Sequence, residues 1–373
     1  MSETLASGRP VKVPRRDLVI LPLISVATLV VLLVAGEVIA REIFPQDAAG
    51  EPCEYRTADG FRYRPFCTSQ TKVWEGPWIT QQFNECGYRT AEPCAPRPPD
   101  ALRMVVAGSS TARGALVNYA DSFAARASDA LSRDCGEMVD VQNLGTEPSD
   151  VDRIDRRLPE ALALHPSAIV MTIGPYDLVH LKDPPLPPAD TPAKPFRPTP
   201  QNFLGLLRES RLFELMQYEL YRDPAFQIRT FLLNGDPADY VRTPLSAAWR
   251  QRVADLGELL GRITAQTAPA HVPVLLFYIP ERAQAAMAKE KDPSAGIDPL
   301  VLGRALGLAA TEHGVSFHDA TPAFAAALDF QSLFYLTDGH PQAGGHAALA
   351  GVVTRALLSE PILSRCTRGS RAG

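Results

Sequence analysis

The sequence predicts a three-layer α/β/α domain built on a parallel sheet, carried behind one transmembrane helix. Three observations point there. Short, continuously apolar runs end in polar or glycine residues and alternate with longer helical stretches; strands buried on both faces look like this. Residues 18–36 form a charge-free run of 19 near the N-terminus, close to the ~20 a helix needs to cross the hydrocarbon core. Finally, 46% of the 373 residues are apolar and 21% charged, which rules out a wholly disordered or collagen-like chain.

The first element is the apolar run. Arg9, Lys12, Arg15 and Arg16 precede it, against Glu3 and Asp17, while Glu37, Arg41 and Glu42 follow it. That excess of cations puts residues 1–17 in the cytoplasm as a tail, 18–40 in the membrane and the rest in the periplasm or outside the cell. A cleaved signal peptide is the alternative, but its apolar region usually runs ~7–15 residues; a buried core helix is the other. Residues 43–100 read as a loop-rich neck with Cys53, Cys67, Cys86 and Cys94. Cys135 and Cys366 bring the cysteines to six, an even number that fits disulfides in an exported domain. Zinc is disfavoured, because the chain has no C-x2-C and no His within residues 53–94. Lys and Arg total 37 and Asp and Glu 42, a net charge of -5, which leaves no basic field to hold nucleic acid.

Residues 101–360 read as the main domain. Its strands are predicted at 102–107, 139–144, 168–173, 272–279 and 315–318. Helices are predicted at 119–133, at 150–164 behind a Ser149 or Asp150 cap, at 201–222 and at 344–358. Residues 183–200 hold eight prolines in eighteen positions and are expected as an extended insert, a spacer or a cover for the site mouth. Residues 361–373 form a C-terminal tail. The predicted strand order is 2-1-3-4-5, a flavodoxin-like arrangement with the ligand edge at the carboxyl ends of the strands.

Four polar segments fall at that edge or late in the chain. Gly108-Ser109-Ser110-Thr111 follows the first strand. A serine there has helix amides behind it that can hold a developing anion, although a plain helix cap needs the same residues. Asn143-Leu144-Gly145 follows the second strand, where a glycine either turns the chain or offers a bare N–H. Gly174-Pro175-Tyr176-Asp177 follows the third, with a phenol that can donate a hydrogen bond. Asp338-Gly339-His340-Pro341 precedes the last helix, and an Asp beside a His can fix the imidazole tautomer; turn chemistry is the alternative. His346 reads as a packing or helix-surface residue, and His165, His180, His271, His313 and His318 as structural.

Together these segments resemble the SGNH (GDSL-like) hydrolase family in its membrane-anchored bacterial envelope form. MVVAGSSTARG is similar to the nucleophile block, with Ser110 at the serine position and Ser109 where Asp usually stands. VQNLGTEP is similar to the glycine block and IVMTIGPYDL to the third block, with Tyr176 in place of Asn. YLTDGHPQAGGH is similar to the last block. Its D-x-H spacing, with Thr337 three before His340, occurs in membrane-associated polysaccharide O-acetyltransferase relatives. FNECGYR at 83–89 is similar to the lead-in of anchored members. The resemblance covers about residues 101–358.

It implies a serine-dependent ester hydrolase or O-acyl transferase acting on envelope or extracellular glycan esters, or on small esters. Ser110 would attack, His340 would carry the proton and Asp338 would orient His340. The N–H groups of Ser110 and Gly145, with the Tyr176 hydroxyl, would form the oxyanion hole, and neither metal nor cofactor would be needed. The rival is a non-catalytic envelope protein that keeps the fold for glycan binding or assembly. A phosphate-binding flavodoxin-like domain is disfavoured, since the first loop lacks a glycine-rich cradle. Disulfides are expected at Cys53–Cys67 and Cys86–Cys94. Cys135–Cys366 is expected because the first and last helices of this topology are neighbours that end on the same face. Ser109 is expected to point inward and hydrogen-bond backbone.

Overall fold

The computed structural model describes residues 14, 16–44, 52–57, 60–94, 96–97, 101–146, 151–152, 154–182, 210–290 and 295–361. The Pro-rich insert 183–200, the expected cap at Ser149 or Asp150, Cys366 and all but the first residue of the tail 361–373 lie outside the described residues. The chain divides into two compact units, Met1–Gln46 with Arg197–Met216, and Asp47–Phe196 with Gln217–Gly373.

In the first unit the apolar run is helix α1, Asp17–Ile43, with a mean hydropathy of 3.0 over its most apolar window. At 1.5 Å per residue its 27 residues extend about 40 Å, long enough to cross a membrane. Glu37 near its end accepts from Ser210 Oγ (2.7 Å) and from the N–H groups of Arg211 (3.0 Å) and Leu212 (2.9 Å). One carboxylate therefore satisfies first-turn amides, which have no intrahelical acceptor, in the helix that starts at Arg211.

The second unit begins with two antiparallel hairpins: β1 Glu54–Thr57 with β2 Gly60–Tyr63, and β3 Thr68–Thr71 with β4 Ile79–Gln82. Strands of four residues are too short to show period-two alternation, so the sequence reads as loop there. Cys53–Cys67 and Cys86–Cys94 are bonded as predicted, with Cα separations of 5.6 and 6.2 Å. Cys53, Tyr63 and Phe83 are buried around the first bridge, and the two rings stack at 4.4 Å. Cys135 is itself in a disulfide.

The sheet comprises β5 Leu102–Ala107, β6 Val139–Asn143, β7 Ala168–Ile173, β8 Val274–Tyr278 and β9 Ser316–Asp319. All neighbours are parallel, in the order β6-β5-β7-β8-β9, which is the predicted 2-1-3-4-5. Alternate side chains feed two cores, as the pleat requires. Val105, Ile169, Met171 and Leu276 pack under helices Ile154–Ala163, Ala247–Thr267 and Val301–Glu312. Met104, Val106, Val170 and Phe277 pack under α3, Phe123–Cys135, and the last helix, Ala343–Ser359. The predicted helix at 119–133 starts later than expected, because Tyr119–Asp121 is a 3₁₀ turn and the Ser122 hydroxyl caps Ala125 N–H at 3.2 Å.

Candidate active site

Four loops leave the carboxyl edge of the sheet. Ser110 opens a one-turn helix, α2 (Ser110–Arg113), directly after β5 and the Ser109 cap. Its N–H sits in the first turn, where no intrahelical acceptor exists. Ser110 Oγ lies 2.7 Å from His340 Nε2, and His340 Nδ1 lies 2.6 Å from Asp338 Oδ1. A carboxylate accepts only, so Nδ1 carries the proton and Nε2 accepts from the serine hydroxyl. The same Asp338 oxygen also accepts the His340 backbone N–H at 3.0 Å. Gly339 between them takes φ +87, a left-handed conformation that costs most residues energy but not glycine. That turn brings the ring and the carboxylate together within three residues. Burial pushes the Asp338 carboxyl up, but hydrogen bonds from the His340 ring and backbone, with the ring's electrostatic pull on the carboxylate, outweigh it and hold it below the usual range. The side chains of His340 and Asp338 keep 32% and 26% exposure, so the pair is reachable from the cavity.

That cavity holds about 730 Å³ and is lined by Ser110, Tyr176, Asp177, Tyr221, Arg282 and His340, among others. Its size falls within the ~300–1,000 Å³ of small-molecule sites. Arg282 is buried, and its guanidinium donates to the side-chain oxygens of Gln227 and of Gln331, the latter at 2.9 Å.

Two expectations change here. Gly145 N–H donates to Asn143 Oδ1 at 2.9 Å, while Asn143 Nδ2 donates to Ala112 O at 2.9 Å. The N–H expected to face an oxyanion therefore has its acceptor inside the fold, and Gly145 is not among the cavity residues. A Cβ at Gly145 would stand 2.4 Å from Arg113 N, so this glycine lets β6 and α2 approach closely. Ser109 is buried as expected, but its hydroxyl pairs with the Asp177 carboxyl rather than with backbone. Asp177 Oδ2 also accepts Gly174 N–H at 2.8 Å. Burial raises the Asp177 carboxyl to about 6, against the pull of those hydrogen bonds and of the histidines nearby. Tyr176 lines the cavity as a residue 57% exposed, with its ring tilted against His180 at 4.4 Å.

His346 packs, as predicted. Its Nδ1 accepts Phe123 N–H at 3.2 Å and so satisfies the start of α3. Burial, then the charges of Arg89, His340 and Arg126, hold it down to about 3. Among the described residues no three His, Cys, Asp or Glu side chains gather as metal ligands.

The sequence reading missed the contribution of the Cys-rich segment. Arg89, the last residue of FNECGYR, is buried and donates to the carbonyls of Arg113 (2.7 Å), Gly114 and Val117. It thereby satisfies the open C-terminal end of α2, the helix that carries Ser110. Asn84 of the same motif accepts the N–H groups of Cys86 and Tyr88, both at 3.0 Å, and so shapes the turn that delivers Arg89. Gln81 Oε1 accepts from Arg113 Nη1 at 2.9 Å. Glu75 reaches the loop that carries Asp338. A charged residue inside a loop-like stretch carries no sequence signal of such long-range use.

No family model matches the chain, and no curated protein matches it. Solved structures do. An acetyl-xylooligosaccharide esterase from Geobacillus Stearmophilus is 17% identical, with a TM-score of 0.38 over 69% of this chain and 93% of that one. The lipase/acylhydrolase from Enterococcus faecalis is 14% identical, with a TM-score of 0.37 over 69% and 95%. A lipolytic protein of the G-D-S-L family from Veillonella parvula DSM 2008 is 11% identical, with a TM-score of 0.37 over 69% and 100%. These similar structures are lipolytic proteins and esterases.

Proposed function

We propose that the protein is a serine ester hydrolase or O-acyl transferase of the cell envelope. One observation carries this reading: the unbroken chain from Ser110 Oγ to His340 to Asp338, at 2.7 and 2.6 Å, on the wall of an open cavity. Ser110 attacks the acyl carbon while His340 Nε2 takes its proton, and Asp338 holds the tautomer and the imidazolium that forms. His340 then returns the proton to the leaving alcohol. The oxyanion is met by Ser110 N–H and the Tyr176 hydroxyl; Gly145 joins them only if Asn143 releases its N–H. Water or a sugar hydroxyl completes the cycle, and the chemistry asks for no metal or cofactor. The substrate class follows from the family resemblance and from placement: an O-acyl, in particular O-acetyl, group on an envelope glycan. The N-terminus is cytoplasmic, α1 spans the membrane, and the disulfide-bonded domain faces the periplasm.

Labelling the full chain in detergent with a fluorophosphonate probe tests this. Wild type is expected to label and Ser110→Ala to stay blank; folded wild-type protein that never labels would sink the proposal. Acetyl and longer-chain esters, with and without a glycan acceptor, then separate hydrolysis from transfer. A second reading, glycan binding without turnover, is favoured by one observation, the Gly145 N–H already bonded within the fold.

A further inference from the structure

Three successive backbone N–H groups, those of Leu336, Thr337 and Asp338, converge on one side chain from far away in sequence. Glu75 Oε2 accepts Leu336 N–H at 2.7 Å. Its Oε1 accepts Thr337 N–H at 3.0 Å, the Thr337 hydroxyl at 2.7 Å and Asp338 N–H at 3.0 Å. Successive amides pointing one way form a concavity built for an anion, and here the anion is supplied by the segment between β3 and β4. That segment is anchored on both sides of Glu75. Trp74 packs edge-on to Tyr218 at 5.2 Å. Gly76 lies so near the Tyr335 ring that a Cβ would stand 2.8 Å from it, and Tyr335 in turn donates to Leu116 O at 3.1 Å.

Resting on the triad reading above, we infer that Glu75 is a positioning residue for the Asp338–His340 pair. It touches no reacting atom. It fixes the peptide that carries the Asp338 carboxylate, and Asp338 fixes the ring. The rest of the loop has its own ties. Tyr335 N–H donates to His340 O (3.0 Å), Gly339 N–H to Tyr335 O (3.1 Å) and Gln342 Nε2 to Phe334 O (2.9 Å). Losing Glu75 therefore leaves the loop closed but frees the 336–338 peptides to rotate, and Asp338 with them. Displacements of about 1 Å at such a distance from the chemistry can cost ~10²-fold in rate. The loss appears in kcat rather than in KM, because ground-state binding does not use the proton relay.

The test uses the full chain in detergent micelles and two readouts. The first is the far-downfield proton resonance of His340 Nδ1–H, assigned by its loss in His340→Ala. The second is kcat and KM on a small acetyl ester. In Glu75→Ala the resonance should broaden or vanish, and kcat should fall about 10- to 100-fold with KM within about two-fold. Glu75→Gln keeps one acceptor oxygen but turns an amide N–H towards Leu336 N–H, so it should fall between the two. Its milder change also covers the case in which Glu75→Ala does not fold. A wild-type resonance and a wild-type kcat in folded Glu75→Ala or Glu75→Gln would overturn the assignment, as would wild-type protein without the resonance. If wild type shows the resonance but neither labels nor turns over any ester, the enzymatic reading fails, and the resonance in the Glu75 variants still decides the positioning role.

Discussion

On the side of Ser110 that faces His340, each polar contact belongs to the proposed proton relay. The ring is held by Asp338, Asp338 accepts from both the ring and the backbone of His340, and the peptides before it are gripped by Glu75. On the side that faces Gly145 and Tyr176 the contacts point elsewhere. Gly145 N–H is bonded to Asn143, and the Tyr176 ring stands largely in solvent against His180. One half of the constellation is preorganised and the other is not. The difference matters because preorganised donors act at full strength only when no rearrangement is needed during reaction.

Breaking the ordered side should have the larger effect. Asp338→Asn keeps the shape but presents the imidazole with a neutral partner that no longer favours Nδ1–H. Turnover of a small ester should fall about 10³- to 10⁴-fold, measured as kcat/KM under conditions where the folded fraction is unchanged. Breaking the other side should do less. Tyr176→Phe removes the hydroxyl and leaves the ring, so kcat should drop about 10²-fold if the phenol is an oxyanion donor. If Tyr176→Phe proves costlier than Asp338→Asn, the comparison is reversed and the exposed phenol is the dominant group.

The same contrast explains what could be read from sequence. The meeting of Ser110, His340 and Asp338 was legible because Asp338, Gly339 and His340 are adjacent, and because β5, β7 and β8 are continuous apolar runs whose carboxyl ends share one edge. The parallel sheet followed from apolar strands alternating with helices, and its order matches the flavodoxin-like arrangement expected. Oxyanion donors are a question of where an N–H points, and a side chain two residues away, Asn143, decided it for Gly145. No pattern in NLG distinguishes the two outcomes. The hairpins were illegible for a different reason. Strands such as TSQT carry no hydrophobic signal, and the roles of Glu75 and Arg89 depend on contacts at separations of 261 and 24 residues or more.

Asp177 also lines the cavity, and its titration offers a further probe of the site. Its carboxyl is raised to about 6 by burial, against an unfolded value near ~3.9. Between those values the folded chain keeps a proton that the unfolded chain has lost. Stability from this group therefore declines as pH rises through about 4 to 6, by on the order of 3 kcal/mol in total. His346, held at about 3, pulls the other way over an overlapping window: its neutral burial contributes most above ~6.5 and is lost as pH falls towards 3. The readout is thus the difference between Asp177→Asn and wild type. That difference should shift in favour of the variant between pH 4 and 6.5 and flatten above. A pH-independent offset in thermal midpoints would show that Asp177 is ionised throughout.

The smallest effect is expected from Ser109→Ala, and it separates two hydroxyls in one turn. Ser110 faces His340 at 2.7 Å; Ser109 is buried and pairs with Asp177. Removing the Ser109 hydroxyl leaves the proton relay untouched. It takes from Asp177 one of the hydrogen bonds that oppose burial, so the Asp177 titration should move further up. The stability loss should be about 1–2 kcal/mol, that of a buried hydrogen bond whose acceptor keeps a second donor in Gly174 N–H. Fluorophosphonate labelling should proceed at close to the wild-type rate. The Ser109–Asp177 bond joins the loop after β5 to the loop after β7, so a modest drop in kcat with a normal labelling rate would place its influence on the Tyr176 side. Loss of labelling in Ser109→Ala, with labelling retained in Ser110→Ala, would instead move the nucleophile one residue back and undo the geometry on which both sides of the comparison depend.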